Sequence, residues 1–160
     1  MRILCLPLLL LLTACASRQP VIVPAPAESP SPYGVMRAPA SHLDDSVLWG
    51  GMVLEVRNYE RYSEVEILSF PLDRGQRPLP TARDQGRFIA LLAGFADPAE
   101  LPQGRFVTLL GRITGDREGT LHRAPYVWPE VDVRTLHVWP EDFRERRSRV
   151  TIGIGIGIRG

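Results

Sequence analysis

From about Val47 to Trp139 apolar and polar residues alternate with a period of two, the pattern of half-buried strands. In "VLWGGMVLEV" the residues Val47, Trp49, Gly51 and Val53 share one face, while Leu48, Met52, Leu54 and Val56 share the other. This is a first strand, and Gly50-Gly51 permits a bulge or sharp bend within it. "SEVEILSF" sets Val65 and Ile67 against Glu64 and Glu66 and predicts a second strand, followed by turn chemistry at Pro71, Gly75, Pro78 and Pro80. "GRFIALLAGF" (Gly86 to Phe95) fits strand or helix by periodicity, and its flanking glycines and short length favour strand. In "RFVTLLGRITG" Val107, Leu109, Gly111 and Ile113 face one way, with Gly111 marking a tight bend. "DREGT" reads as the next turn. In "EVDVRTLHVW" Val131 and Val133 keep one phase while Leu136 and Val138 keep the other, which predicts a bulge near Arg134-Thr135.

Five or six short strands predict an all-β fold, a small OB-like barrel that closes and so removes exposed sheet edges. The tetrapeptide "VWPE" occurs at Val127 and again at Val138, too short an echo for a repeat architecture. Pro129 and Pro140 are expected to interrupt strand pairing after tryptophans at the barrel end. The barrel domain is drawn at 46–141.

The flanks have different chemistry. Ile3 to Leu12 is almost unbroken apolar sequence behind Arg2, a signal-peptide pattern over residues 1–14. As a helix the run rises only about 15 Å, half of a roughly 30 Å hydrocarbon core, so it does not span a bilayer. Residues 15–45 carry six prolines between Ala16 and Ser41 and few large side chains, which predicts a flexible tether. In a polyproline conformation, at about 3.1 Å per residue, the stretch from Ala16 to Ser41 reaches on the order of 80 Å. "VIVP" at Val21 to Pro24 has the alternative of docking as an edge strand. Residues 142–160 form a tail of arginines followed by Ile-Gly alternation, expected to be disordered or to add to a sheet edge or a lipid surface.

Charge narrows the partners little. The 19 basic residues are all arginine and the acids number 18, so no net field points to nucleic acid. The three histidines, His42, His122 and His137, form no close pair, and no metal site or cofactor is expected. Nor is a catalytic set: no nucleophile elbow, phosphate loop or dinucleotide fingerprint occurs, and the chain reads as a non-enzyme. Asp44 and Asp45 are adjacent, and Glu64 and Glu66 would lie about 7 Å apart on one strand face, near the spacing of glycosidase carboxylates. A cell-wall hydrolase would need that pair to line a cleft. Trp49, Trp128 and Trp139, interleaved with arginines, are the candidate ligand-binding residues. On an OB-like barrel they would form a stacking face for a glycan such as peptidoglycan or lipopolysaccharide, with core packing the competing role.

"LTAC", Leu12 to Cys15, resembles the lipobox of bacterial lipoproteins. The resemblance implies cleavage before Cys15, a diacylglycerol thioether on its sulfur and acylation of the new amino group; Ala16, by resemblance to the enterobacterial sorting rule, favours the outer membrane. Cys5 falls in the removed leader. "LWGGMVLEV", "SFPLDRGQRP", "QGRFIALLAGFADP", "QGRFVTLLGRITG", "APYVWPEVDV" and "LHVWPE" together resemble the Slp-type starvation lipoproteins of Gram-negative outer membranes. The resemblance implies a lipid-anchored outer-membrane envelope protein linked to stress or stationary phase; a periplasm-facing placement, with envelope proteins or glycan as partners, is the accompanying expectation. It carries over no catalytic residue.

Overall fold

Alternating inward residues close five strands into one ring. The computed structural model describes residues 23–143; Cys15, "VI" of "VIVP" and the tail beyond Phe143 lie outside the described residues. The strands are β1 (Ser46–Asn58), β2 (Tyr62–Ser69), β3 (Arg87–Ala93), β4 (Phe106–Leu121) and β5 (Ala124–Val138). They close in the order β1-β2-β3-β5-β4, antiparallel except for β3 beside β5. This is the small Greek-key barrel that the alternation predicts. Val47, Trp49, Val53, Val65, Ile67, Phe88, Val107, Leu109, Ile113 and Val131 fill its interior.

The ring bends where β1 changes partner and where β1, β4 and β5 each take in an extra residue, Thr114 being the one in β4. β1 passes from β4 to β2 at Gly51, which pairs with both Val107 and Ser69. A Cβ there would stand 2.7 Å from the Leu68 carbonyl carbon and closer still to its oxygen, so only glycine allows this approach. The bulge in β1 lies three residues later than expected, at Leu54, where the register shifts between Val53 and Glu55. Beyond it Val56 turns back onto the core. In β5 the register jumps from Thr135 to Val133 opposite Leu110 and Gly111, so Arg134 is the extra residue of a bulge at the position that the phase change predicts.

Two expectations are corrected. "DREGT" is not a turn: β4 continues through it, and Asp116 to Thr120 pair in register with Pro125 to Pro129. The chain reverses at His122-Arg123, whose φ angles of 50° and 69° make the turn without glycine. Pro129 therefore lies buried inside β5 opposite Asp116 rather than ending it.

The second correction concerns the tether. Within residues 23–45 the chain is packed on the barrel. Ser31 caps a short helix, α1 (Pro32–Arg37), by accepting from the Gly34 amide at 3.2 Å, and Pro39–His42 add a 3-10 turn. Pro32 and Val35 are fully buried, Val35 in the barrel core. The Pro30 carbonyl accepts from Trp49 Nε1 at 2.7 Å, and the Ser29 hydroxyl exchanges hydrogen bonds with the Leu48 backbone. Val23 meets Gln76 through its backbone and belongs to no strand.

Candidate functional site

Above residue 115 the β4–β5 hairpin extends as an arm, and its inner side faces the outer wall of the barrel. On that wall β2 presents Glu64 and Glu66, because Val65 and Ile67 take the inward phase. β3 presents Arg87 and Ile89 by the same alternation, and β1 contributes Glu55 and Arg57. Between wall and arm lies a cavity of about 320 Å³, closed on the arm side by residues 117–121 and Trp128.

Ion pairs organise this cavity. Arg117 donates to both oxygens of Glu64, at 2.8 and 2.7 Å, and also reaches Glu130 at 2.6 Å. The Glu64 side chain is only 4% exposed while Arg117 is 40% exposed, so the pair is a buried acid under a half-open guanidinium. Arg117's hydrogen bonds hold the Glu64 carboxyl below the usual carboxylate range, against the opposing effect of burial. In return Glu64 raises the Arg117 pKa further. Glu66 accepts from Arg87 at 3.0 Å and from Trp128 Nε1 at 3.1 Å. Tyr126 packs against Trp128 at 4.6 Å, and its hydroxyl accepts from the Arg87 amide at 2.6 Å; burial raises its pKa. The arm is thus locked to the wall by one bidentate carboxylate–arginine link, Glu64 to Arg117, and by the hydrogen bonds of Trp128 to Glu66 and of the Arg87 amide to Tyr126.

Glu64 and Glu66 do line a cleft, as a hydrolase would require, yet both accept from arginines. A general acid at neutral pH needs a raised pKa, and Glu64 is shifted the other way. The three tryptophans separate. Trp128 borders the cavity, but Trp49 is 3% exposed, edge-on to Phe88 at 4.9 Å, and Trp139 is 7% exposed, packed with Phe70 and Phe106. A shared stacking face of all three does not form, because Trp49 and Trp139 occupy core positions. The histidines are scattered: His42 pairs with Asp45, His122 is at the arm tip, and His137 lies 4.4 Å from Trp139 with its pKa lowered by burial. Asp44 faces Arg112 at 3.3 Å. Among the described residues no cluster of three or more His, Cys, Asp or Glu side chains is arranged to hold a metal ion. Arg87, Arg117 and Glu130 are the site residues that sequence reasoning missed. The signal for Arg117 is its shared phase with Gly119 and Leu121 along one strand, obscured by the turn-like composition of "DREGT".

Fold and site together define a small closed Greek-key barrel with a helical N-terminal plug and one charged cavity beneath its β4–β5 arm. Among the described residues no helix is long and apolar enough to cross a membrane. The chain belongs to the outer membrane lipoprotein Slp family, which matches residues 12–154. It is 34% identical to the outer membrane protein Slp of Escherichia coli K12 over 105 residues, 66% of this chain and 55% of that protein. It is likewise 34% identical to the uncharacterized lipoprotein YeaY of the same organism, over 66% of this chain and 54% of that protein. An uncharacterized protein of Haemophilus influenzae is 27% identical over 95 residues, 59% of this chain and 51% of its own. The chain spans about half the length of the curated relatives it matches. No solved structure matches it.

Proposed function

We propose that this protein is anchored in the outer membrane by acyl chains on Cys15 and presents its barrel to the periplasm as a non-catalytic interaction module linked to envelope stress or stationary phase. The observation that carries the reading is the span of the family match, which begins at residue 12 and so includes the "LTAC" stretch. One acyl chain anchors only marginally, whereas two or more hold stably at about 0.8 kcal/mol per buried methylene. Mass spectrometry of the mature N-terminal peptide tests it. The expected product starts at acylated Cys15 and Cys15→Ala is lost from the outer-membrane fraction; an unacylated native N-terminus refutes the reading.

A second reading is favoured by the cavity. It lies on the β2–β3 wall beneath the β4–β5 loop, the place where OB-like barrels hold oligosaccharides. Arginines, carboxylates and one tryptophan edge supply the donors, acceptors and apolar contact that a glycan needs. Because Glu64 and Glu66 accept from arginines, the site suits binding rather than acid catalysis. Titration of the purified protein with peptidoglycan fragments or lipopolysaccharide core should shift tryptophan emission, and a flat titration removes this reading.

A further inference from the structure

The wall that backs the cavity continues past it to an aromatic pair. Along β2 the residues Tyr62, Glu64 and Glu66 share the outer face, since Ser63, Val65 and Ile67 point inward. Tyr62 stacks on Tyr59 across the β1–β2 turn, with ring centroids 4.8 Å apart and planes 16° from parallel. The Tyr59 amide donates to the Tyr62 carbonyl at 2.8 Å, and the Tyr59 hydroxyl reaches Glu64 Oε2 at 3.4 Å, on the same carboxylate that Arg117 grips. Tyr59 and Tyr62 are 46% and 40% exposed, so the pair is held in place and still open to solvent. At the other end of the cavity Trp128 is tied to Glu66 through Nε1. Tyr62 and Glu66 are four steps apart on β2, about 13 Å of strand.

We propose that the cavity and the Tyr59–Tyr62 pair form one binding surface for a linear glycan free of phosphate and carboxylate groups, a chain of several sugar rings running from Trp128 to the tyrosines. The inference rests on the reading of the cavity as a glycan site and adds the charge and the length of its ligand. Charge supplies the first argument. Three carboxylates on the wall, Glu55, Glu64 and Glu66, meet three arginines, Arg57, Arg87 and Arg117, and each arginine is bound to one of them. Glu130 beside Arg117 and Glu118 on the arm add negative charge to this balanced set. The surface therefore has no positive field to draw in a phosphorylated chain, whereas its arginines and carboxylates remain donors and acceptors for sugar hydroxyl and amide groups.

Geometry supplies the second argument. Aromatic rings stand at both ends of the surface, and half-exposed Glu55, Arg57 and Arg117 lie between them. Such an order offers sugar rings apolar surface to stack on and polar partners for their edges. The separation along β2 is longer than a single sugar ring, so a ligand that touches both ends is a chain. Mutual stacking and the Glu64 contact fix the tyrosines before a ligand arrives, which lowers the ordering cost of binding. A second copy of this chain is the rival occupant of the exposed tyrosines. It is disfavoured because the ground between them and Trp128 is charged, where the centre of a protein interface is depleted of charge.

The test is isothermal titration calorimetry of the purified protein with β-1,4-linked N-acetylglucosamine oligomers, from the disaccharide to the hexasaccharide, and with phosphorylated lipopolysaccharide core. Affinity should rise several-fold with chain length and then level off, the gain that one added aromatic contact brings. Tyr59→Ala combined with Tyr62→Ala should lower hexasaccharide affinity to that of the disaccharide, and Tyr59→Phe combined with Tyr62→Phe should keep the gain. Lipopolysaccharide core should bind more weakly than the hexasaccharide. If neither the oligomers nor the core binds, the glycan reading of the cavity falls and this inference with it. If the core binds more tightly than the oligomers, or chain length brings no gain, the glycan reading stands and the inference is overturned. A gain that survives in the double alanine variant also overturns it, and a change in that variant's oligomeric state on size-exclusion chromatography then assigns the tyrosines to contact with a second copy.

Discussion

Replacing Glu64 by glutamine tests whether the arm is locked to the barrel by charge. The wild-type carboxylate is 4% exposed and accepts two hydrogen bonds from Arg117 at 2.8 and 2.7 Å. Glutamine keeps the shape, but its amide nitrogen would point a donor at a guanidinium that has only donors. Breaking a buried pair typically costs about 3–5 kcal/mol. Here Arg117 is 40% exposed and keeps Glu130 at 2.6 Å, so water and the second carboxylate offset part of the loss. The expected destabilisation is about 2 kcal/mol. With an unfolding entropy of roughly 2.1 cal/mol/K per residue over about 120 residues, that lowers Tm by about 8 °C. Differential scanning calorimetry at pH 7 reads it directly, and a double-mutant cycle with Arg117→Met isolates the pair from changes elsewhere.

The same variant carries a pH signature with a definite sign. Hydrogen bonds from Arg117 depress the folded Glu64 pKa, so the folded state binds fewer protons than the unfolded chain near that value. The stabilisation is complete above the unfolded carboxylate pKa of about 4.3 and is lost as pH falls through the depressed folded value. The wild-type and Glu64→Gln melting curves should therefore converge on acidification below about pH 4. A difference in Tm under about 2 °C at pH 7, or a gap that does not narrow between pH 7 and acid, refutes the charge lock.

Four further substitutions probe other links. Gly51→Ala places a methyl into the Leu68 backbone and should cost more than about 3 kcal/mol, whereas Gly115→Ala meets nothing nearer than Glu130 Oε2 at 3.7 Å and should be near neutral; chemical denaturation distinguishes them. Val35→Ala removes two methyl groups from a fully buried site and should cost about 2 kcal/mol, with faster trypsin cleavage at Arg37 as the plug loosens; unchanged cleavage argues against the plug. Trp128→Phe removes the donor to Glu66 at a cost of about 1 kcal/mol and should abolish any glycan-induced emission change while Trp49 and Trp139 still fluoresce; a persisting response places the glycan elsewhere.

Barrel interior and bulge were legible because both are local. Val65 and Ile67 can avoid water only by facing inward together, and that forces Glu64 and Glu66 onto the outer wall. The opposite phases of Val131 and Leu136 need one extra residue between them, which the structure supplies at Arg134. Trp49 shares its phase with Val47 and Val53, two residues with no exposed surface, and so lies in the core rather than on the ligand-binding face suggested for it; because both faces of that strand carry apolar residues, its phase alone did not decide between them. The arm was not legible. Asp116 to Thr120 has the composition of a turn, and only pairing with Pro125 to Pro129 together with the Glu64 and Glu66 contacts holds it as strand. Strand preference in such a polar segment is set by cross-strand neighbours, which composition does not reveal.

Proline content misled in the N-terminal segment for a related reason. A segment with few large side chains is expected to stay free because burial cannot offset ordering entropy. Prolines also lower that entropy in the unfolded chain, so few contacts suffice to hold the segment where its fixed φ angles fit. Pro32 begins α1, where its missing amide hydrogen would have no partner anyway, and the Pro30 carbonyl satisfies the one polar atom of the buried Trp49 ring. Val35 then fills a core position that would otherwise stay open. The segment that follows Cys15 is consequently part of the barrel from Val23 onward, bound at Gln76, Leu48, Trp49 and the core. Any pull on the N-terminus acts on Val23 and Gln76 first and on the α1 plug only after those hydrogen bonds break.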